Sequence, residues 1–510
     1  MITTTENSKR IAKNTLLLYL RMLFNMAISL YTSRIILQTL GVEDFGIYNV
    51  VGGVVLMFSF LNNAMTAAVQ RYISFELGRG VSEKLNRIFS MSVNIHVILA
   101  LIIILFAETI GLYVFYEYLK IPTERMTAAL VVYQCALASF SITVLQVPFI
   151  SCIVAHEKMN IFAIGSVSET STKFLGAVIL IYLSGDKLIC YAIILLTVSI
   201  LVALFYRIYT ILHFSECHYK RVWDKPLCKE MLSYSSWSLF GGVATIASTQ
   251  GINILLNIFF GPIINAARGV AYQVNAAVCS LYSSFMQAIN PQIIKQYSIG
   301  NYEYMHQLIY NSCRLTYLLV LLLALPICLE TEHILYLWLG QVPEHAVLFC
   351  RLVLVATLVE CMSMPLVPAV QATGKIKKYQ SVVGSILLMN LPLSYVVLKI
   401  TYIPEASFYM VIVINGITAI ARLLICRNLI NLSLRHFFKE VVVRILLSSL
   451  GASVSFWILY CLPNMPYRFI VSLVIGFLLT ILSIVVFGIK PEERKFVFCK
   501  LKKIYDKTFN

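Results

Sequence analysis

The sequence contains few charged residues. Only 13% of its 510 residues are charged and 59% are hydrophobic, whereas soluble proteins carry about 25% charged residues. This composition excludes a soluble enzyme and is typical of an all-α polytopic membrane protein. The longest weakly hydrophobic stretches, residues 69–89 and 206–231, are shorter than a globular domain of about 50 residues. We therefore expect no appended soluble domain.

Aspartate is the scarcest charged residue. All four aspartates fall in predicted loops, at Asp44, Asp186, Asp224 and Asp506. No predicted helix therefore carries an aspartate of the kind that coordinates sodium or binds an organic cation within a membrane. Glu169 and Glu360 remain as candidates for coupling to H+ or Na+.

The cysteines form neither a disulfide framework nor a metal motif. Most of the thirteen cysteines lie inside apolar segments, and none forms a CxxC pair, so they are read as small hydrophobic residues. One cluster before the seventh helix has the residue types of a zinc site without a familiar ligand spacing. It comprises His213, Cys217, His218 and Cys228. We expect no metal site and no organic cofactor.

Fourteen apolar segments are long enough to cross a membrane as helices. Their centres lie near Met26, Val55, Ala100, Ala138, Leu175, Thr197, Ala247, Val278, Leu322, Ala356, Leu388, Val413, Ala452 and Gly476. Most Lys and Arg residues fall in alternate loops, which the positive-inside rule assigns to the cytoplasm together with both termini. The net charge of +16 is therefore read as a topology signal rather than as a nucleic-acid-binding surface.

The two halves of the sequence resemble each other. An offset of 220 aligns Gly41 with Gly261 and Gly80 with Gly300, and an offset of 217 aligns Pro148 with Pro365. A displacement of six helices predicts parallel repeats, two six-helix lobes around a central cavity. The predicted lobes are residues 1–217 and 218–431, followed by 432–510 with two further helices and a basic cytoplasmic tail. Pro148 and Pro365 are predicted hinges, because proline removes a helical hydrogen bond.

Charged and polar residues inside the predicted helices mark the candidate site, because such residues are costly in a membrane. Positive groups outnumber negative ones there, and a surplus of guanidinium groups favours a phosphate ligand. Arg34 lies near a helix end and is equally compatible with an interfacial position, and the one-turn pair Glu169 and Lys173 is equally compatible with a structural role. The candidate ligands of a diphosphate or sugar are Arg21, Asn25, Arg34, Lys173, Asn253 and Arg268.

Three segments resemble Wzx-type polysaccharide flippases of the multidrug, oligosaccharidyl-lipid and polysaccharide exporter superfamily. They are residues 33–51 (SRIILQTLGVEDFGIYNVV), 155–160 (AHEKMN) and 371–380 (QATGKIKKYQ). The resemblance implies a flippase that moves an undecaprenyl-diphosphate-linked oligosaccharide from the inner to the outer leaflet of the bacterial cytoplasmic membrane by alternating access. Arg21 or Arg34, together with Arg268, would then hold the diphosphate.

The resemblance also implies partners. These are membrane lipids, the lipid-linked oligosaccharide, and the glycosyltransferases and polymerase of a pathway for a cell-surface polysaccharide such as O-antigen. Flippases of this kind usually have twelve helices, whereas the lipid II flippase and its relatives have fourteen, so both branches remain open.

Two other functions compete with this interpretation. An ion-coupled multidrug exporter shares the superfamily, although the acidic residues that such exporters use in the first or seventh helix are missing here. A membrane glycosyltransferase or polymerase would need a catalytic acidic pair and a sizeable outer domain. The first outer loop offers only Glu43 and Asp44 within a short turn. We therefore expect a transporter rather than an enzyme.

Overall fold

The computed structural model describes residues 4–56, 59–80, 82–117, 121–339, 342–460 and 468–494. Every regular element in these ranges is a helix, and all fourteen predicted centres lie within one, which confirms the all-α class. Ten described helices are long and apolar enough to cross a membrane, and a bent pair gives an eleventh. The helices at Val55, Val278 and Ala452 are not among them, so the number of spans is approximate. The tail beyond Arg494 lies outside the described residues.

The chain forms two compact units. The first extends to Val243 and includes Gln287–Gly300, and the second comprises Ala244–Met286 together with the chain from Asn301 onward. The predicted divisions at residues 217 and 431 stay predictions.

The described helices of the first unit are α1 (Thr4–Leu56), α2 (Ser59–Arg79), α3 (Ser82–Phe106), α4 (Leu112–Glu117), α5 (Met126–Ala155), α6 (Met159–Tyr182) and α7 (Lys187–His213). Two helices contribute residues to both units, α8 (Lys225–Phe260) and α9 (Pro262–Ser298). Those of the second unit are α10 (Tyr302–Leu329), α11 (Thr331–Leu339), α12 (Ala346–Cys361), α13 (Leu366–Thr373), α14 (Ile376–Thr401), α15 (Ala406–Ile430), α16 (Leu434–Phe437), α17 (Val443–Tyr460) and α18 (Arg468–Ser483).

The backbone supports the predicted repeat. Eight of the ten described residues with positive φ form four pairs separated by 220 or 217 positions. The pairs are Gly41 with Gly261 (φ 81° and 79°), Gly80 with Gly300 (73° and 76°), Glu157 with Gly374 (59° and 73°), and Gly185 with Tyr402 (113° and 55°). Because left-handed backbone is rare outside glycine, chance would not place it at matching positions four times. Both units therefore turn their chains at equivalent points.

The two predicted hinge prolines have different surroundings. Pro148 is buried inside α5, which is continuous from Met126 to Ala155. Pro365 instead precedes α13, at a break where α12 and α13 bend by 41°. Proline suits the start of α13, because an N–H at a helix start has no helical partner to lose. Inside α5, Pro148 removes one helical hydrogen bond.

Small residues bring helices close together in the first unit. A side chain at Gly165 would come within 2.3 Å of the Tyr206 ring, and one at Gly176 within 2.4 Å of Ile194. Close approach through small residues is the usual basis of helix packing in membranes, where burial of apolar surface supplies little driving force. These two contacts place α6 against α7.

Candidate functional site

The polar residues predicted on α1 meet α6. The Arg21 guanidinium lies 4.7 Å from the centre of the Phe162 ring, and Asn25 Nδ2 donates a hydrogen bond of 2.8 Å to Ser166 Oγ. Phe162 and Ser166 follow one another along α6 in the same order as Arg21 and Asn25 along α1, so the two helices run parallel here. We call this contact the α1/α6 seam.

Two buried polar atoms of the α1/α6 seam have no hydrogen-bond partner among the described residues. They are Arg21 Nε and Asn25 Oδ1, which lie one helical turn apart. Burying a polar atom without a partner costs free energy. The pair therefore suits a polar ligand that accepts a hydrogen bond from Arg21 Nε and donates one to Asn25 Oδ1.

Lys173 lies further along α6 and is already paired. Its Nζ is 2.6 Å from Glu169 Oε1, and both side chains are 39% exposed. Lys173 also lines a cavity of about 320 Å³ together with Tyr48, Thr143 and Tyr191. This cavity, which we call the first cavity, therefore contains a cation whose charge is partly offset by Glu169.

Arg34 does not join Arg21. It is exposed on α1, thirteen residues after Arg21 and hence about 20 Å further along the helix at 1.5 Å per residue. The two arginines therefore serve as alternative candidates and not as one clamp.

Arg268 is buried in the second unit and is held by its neighbours. Its guanidinium donates to Thr249 O at 2.8 Å and to Asn253 Oδ1 at 3.2 Å, and it lies 4.2 Å from the centre of the Tyr272 ring. Its Nε has no hydrogen-bond partner among the described residues. Arg268 and Asn253, which the sequence offered only as separate candidate ligands, are thus in contact and join α8 to α9.

A second cavity, of about 100 Å³, adjoins Arg268 and contains Glu360. Thr249 and Tyr272, which contact Arg268, also line it. Its polar walls are ordered by hydrogen bonds, from Thr357 Oγ1 to Asn275 Oδ1 at 2.7 Å and from Asn390 Nδ2 to Ser248 Oγ at 2.8 Å. Glu360 thus lies among amides and hydroxyls, the oxygen-rich setting that suits a proton or a hard cation.

The sequence analysis missed several buried ionic groups. Arg422 donates from Nη1 to Ser363 Oγ at 2.8 Å and from Nε to Tyr379 Oη at 3.2 Å. Glu157 is buried with Lys295 Nζ at 2.8 Å and also accepts a hydrogen bond from Gln292. The position of Arg422 inside an apolar run could have identified it as a buried charge. Glu157 gave none, because its partners follow 135 or more residues later.

Comparisons with known proteins agree with this architecture. No curated protein matches the chain at a significant level. Among solved structures, an outward-facing multidrug resistance MATE family transporter of the MOP superfamily is similar with a TM-score of 0.72 and 16% identity, covering 82% of this chain and 96% of the other. MATE in the bent conformation matches with a TM-score of 0.72 and 16% identity, covering 83% and 96%.

A third similar structure is a MOP superfamily transporter from Pyrococcus furiosus, whose reverse polarity of the binding pocket suggests a different function for that protein. The TM-score is 0.69 at 15% identity, with 82% of this chain and 96% of the other covered. At such identities the likeness shows the fold alone. A family model described as polysaccharide biosynthesis protein matches residues 11–297, more than half of the chain. The chain therefore belongs to the polysaccharide biosynthesis protein family and is a multi-pass membrane protein.

Proposed function

We propose that this protein is a flippase for a polyprenyl-diphosphate-linked oligosaccharide, carrying it from the inner to the outer leaflet of the cytoplasmic membrane by alternating access. The observation that carries the proposal is Arg21, a partly buried guanidinium on a membrane-spanning helix whose Nε lacks a hydrogen-bond partner among the described residues. A diphosphate supplies the charged acceptors that such a group needs, and these bonds are strongest away from water.

The rest of the α1/α6 seam supports the same assignment. Asn25 presents an unsatisfied Oδ1, which can accept a hydrogen bond from a sugar hydroxyl while Arg21 holds a phosphate. Lys173, on α6, is a second positive group in addition to Arg21. In the second unit, Arg268 and Asn253 form a polar pair. Bending at Pro148 and at the α12–α13 break would accompany the transport cycle. The family's role in polysaccharide biosynthesis supports a sugar-bearing substrate.

This function implies other proteins in the same pathway. Membrane glycosyltransferases must build the lipid-linked oligosaccharide on the cytoplasmic side, the side on which the positive-inside rule predicts both termini of this chain. A polymerase must then consume the substrate on the outer side. O-antigen and other cell-surface polysaccharides are all compatible with this arrangement, as is lipid II, which carries the same diphosphate chemistry.

A second candidate is an ion-coupled multidrug exporter, and Glu360 is the observation that favours it. Among the described residues Glu360 forms no ion pair, although Arg422 contributes a favourable charge nearby. A membrane-embedded carboxylate in a polar cavity binds H+ or Na+ in either candidate function. Only the exporter would need such a carboxylate to hold an organic cation. Glu169 is less suited to coupling, because it is paired with Lys173.

Substitution of Arg21 tests the proposal. Arg21→Ala should reduce export about 10- to 150-fold, because at least one hydrogen bond to a charged group, worth about 1.5–3 kcal/mol, is lost. Arg21→Lys should retain part of the activity, since the charge remains but the paired geometry does not. The measurement is the accumulation of lipid-linked repeat units in the inner leaflet at equal abundance of protein in the membrane.

Two further variants complete the test. Arg87→Ala is the matched control, because Arg87 pairs with Glu83 on the exposed surface of α3 and should not affect export. Arg34→Ala tests whether this exposed arginine contributes to export. Wild-type export by the triple variant Arg21→Ala, Arg34→Ala and Arg268→Ala would eliminate the diphosphate proposal, and drug efflux that depends on Glu360 would favour the exporter.

A further inference from the structure

The segment between α7 and α8 is bound along α3. Asn86 Nδ2 donates to the carbonyl oxygens of Glu216 at 3.0 Å and His218 at 2.7 Å. Ser90 Oγ accepts from Lys220 N at 3.0 Å, and Asn94 Nδ2 donates to Val222 O at 2.9 Å. Asn86, Ser90 and Asn94 are spaced by four residues and so share one face of α3. We call residues 214–224 the strap.

The strap forms one wall of a cavity of about 950 Å³. Tyr219, Arg221 and Trp223 of the strap line this cavity, and Arg207 enters from α7. Apolar residues complete it, among them Val97 on α3 and Phe149 on α5. Because α3 holds the backbone of the strap at four positions, these side chains have a fixed framework.

The cavity is positively charged without internal compensation. Arg207 and Arg221 line it, and no Asp or Glu does. Apart from the Phe149 ring, 5.8 Å from the Arg207 guanidinium, neither arginine side chain forms a hydrogen bond or an ion pair in the part of the chain that the structure describes. Two free guanidinium groups facing one cavity provide paired donors for a phosphate.

The nearby carboxylates are occupied elsewhere. Glu216 pairs with His156, and the hydrogen bond from His156 lowers the pKa of Glu216, which keeps the carboxylate ionised and engaged. Asp224 Oδ1 accepts a hydrogen bond of 3.0 Å from Leu227 N at the start of α8. Neither group is therefore available to neutralise the arginines.

The surroundings of the cavity are those of a membrane interface. The cavity lies along residues 89–98 of α3 and beside the last turns of α7, and the faces of these helices next to it are apolar and exposed. Leu101 on α3 is 62% exposed, and Ile208 and Leu212 on α7 are 55% and 73% exposed. Trp and Tyr next to basic residues at helix ends are typical of the headgroup region.

We propose that the cavity binds an anionic glycerophospholipid of the inner leaflet, with Arg207 and Arg221 on its phosphate and its acyl chains along α3 and α7. Basic cavities between helices on the cytoplasmic side bind anionic headgroups in this way. The site goes beyond the proposed transport function, and no residue of the α1/α6 seam lines it. A bilayer phospholipid is the occupant that fits best, because the cavity opens onto apolar helix surface that the bilayer itself covers.

Lipid titration of the purified full-length protein, monitored by native mass spectrometry, tests the site. The wild type should bind phosphatidylglycerol more tightly than phosphatidylcholine. Arg207→Ala and Arg221→Ala should each weaken phosphatidylglycerol binding about fivefold, and the double variant about 25-fold, because each basic residue near an anionic surface contributes about 1 kcal/mol. Phosphatidylcholine binding should not change.

Three controls make the result decisive. Arg207→Lys and Arg221→Lys should each retain most of the phosphatidylglycerol binding. Arg435→Ala, at an exposed arginine of the second unit, should retain all of it. An unchanged melting temperature of the double variant excludes misfolding as the cause of a loss. Wild-type phosphatidylglycerol affinity in a folded double variant would overturn the proposal. So would loss of undecaprenyl diphosphate binding alone, since the cavity would then belong to the transported lipid.

Discussion

The first and second cavities occupy the same positions of the two repeats but carry opposite charge. Six lining residues correspond at an offset of 217, namely Ala136 with Val353, Ser139 with Ala356, Phe140 with Thr357, Thr143 with Glu360, Lys173 with Asn390, and Tyr191 with Phe408. The first cavity contains Lys173 and the second contains Glu360. The repeat has therefore preserved the backbone that makes each cavity while its lining has diverged.

The difference in charge means that the two cavities favour different ligands. A cavity with a lysine beside the arginine-bearing α1/α6 seam favours an anion, whereas a cavity with a carboxylate, amides and hydroxyls favours H+ or a metal cation. We therefore infer that substrate recognition centres on the first unit and coupling on the second. Parallel repeats provide two similar sites whose linings can specialise independently.

The largest expected effect on gradient-driven transport is at Glu360. Glu360→Gln keeps the shape of the side chain but removes its charge, so a bound cation would lose its charged ligand and transport driven by a gradient should fall at least about tenfold. Flipping of lipid-linked substrate in proteoliposomes, with imposed H+ or Na+ gradients, measures this. Thr143→Val, at the equivalent place in the first cavity, should leave the gradient dependence unchanged. Full gradient dependence in Glu360→Gln would remove the coupling role.

The largest expected effect on stability lies where the repeats differ in one left-handed residue. The first unit has Glu157 (φ 59°) where the second has Gly374 (φ 73°), and the Glu157 side chain is 2% exposed beside Lys295. Lys295→Met should lower the free energy of unfolding by about 3–5 kcal/mol, because it leaves a buried carboxylate without its cation. Thermal unfolding of the protein in detergent measures the change.

The same position supplies the control for this prediction. Glu157→Gly in the Lys295→Met background should restore much of the stability, since it removes both the buried charge and the left-handed strain, as glycine does at 374. Lys375→Met, at an exposed lysine beside Gly374, should have no effect. An unaltered melting temperature in Lys295→Met would show that the ion pair contributes nothing.

The smallest effect is expected at the other end of the first unit, where Arg125 bridges Asp44 and Asp186. Burial opposes ionisation of Asp186, but hydrogen bonds from Arg125 and the amide of Ile189 outweigh it and lower the pKa of Asp186. The resulting stabilisation is complete above the ordinary pKa of 3.8 and is lost as the pH falls through the lowered value. It should stay below about 1 kcal/mol, because the groups are partly exposed.

Melting temperatures between about pH 6 and about pH 3 test this pH dependence. Asp186→Asn should flatten the acid limb of the wild-type curve. The positions 217 residues after Arg125 and Asp186 are Val342 and Ile403, so the second unit has no equivalent group and Ile403→Ala should leave the shape of the curve unchanged. Identical acid limbs in wild type and Asp186→Asn would contradict the assignment.

Local patterns predicted a large part of this architecture. Apolar runs placed all fourteen predicted centres within described helices, although Met26 and Val55 share α1. The 220-residue offset identified Gly41 and Gly261, which adopt nearly the same φ. The one-turn spacing of Glu169 and Lys173 also predicted their contact. Each of these features depends on residues close in sequence or on a pattern repeated along it, which is why a single sequence contains enough information.

Contacts between distant residues could not be predicted in the same way. The partner of Asn25 on α6 is 141 residues away, and the strap is held by α3 across about 130 residues. The sequence grouped Arg21 and Arg268 as similar cations. The structure separates them by their surroundings. The guanidinium of Arg268 donates to Thr249 and Asn253, whereas that of Arg21 packs on the Phe162 ring, and the Nε atom of each is unsatisfied among the described residues.

The sequence by itself determined the membrane class, the helices and the repeat, because hydrophobicity, basic loops and backbone preferences act over a few residues at a time. Only the tertiary structure decided which charges are neutralised and which remain available to a ligand. That outcome depends on helix packing, which brings a carboxylate to Lys295 and none to Arg207 among the described residues. In a low-dielectric interior the presence or absence of one such neighbour decides whether a charged residue stabilises the fold or binds a ligand.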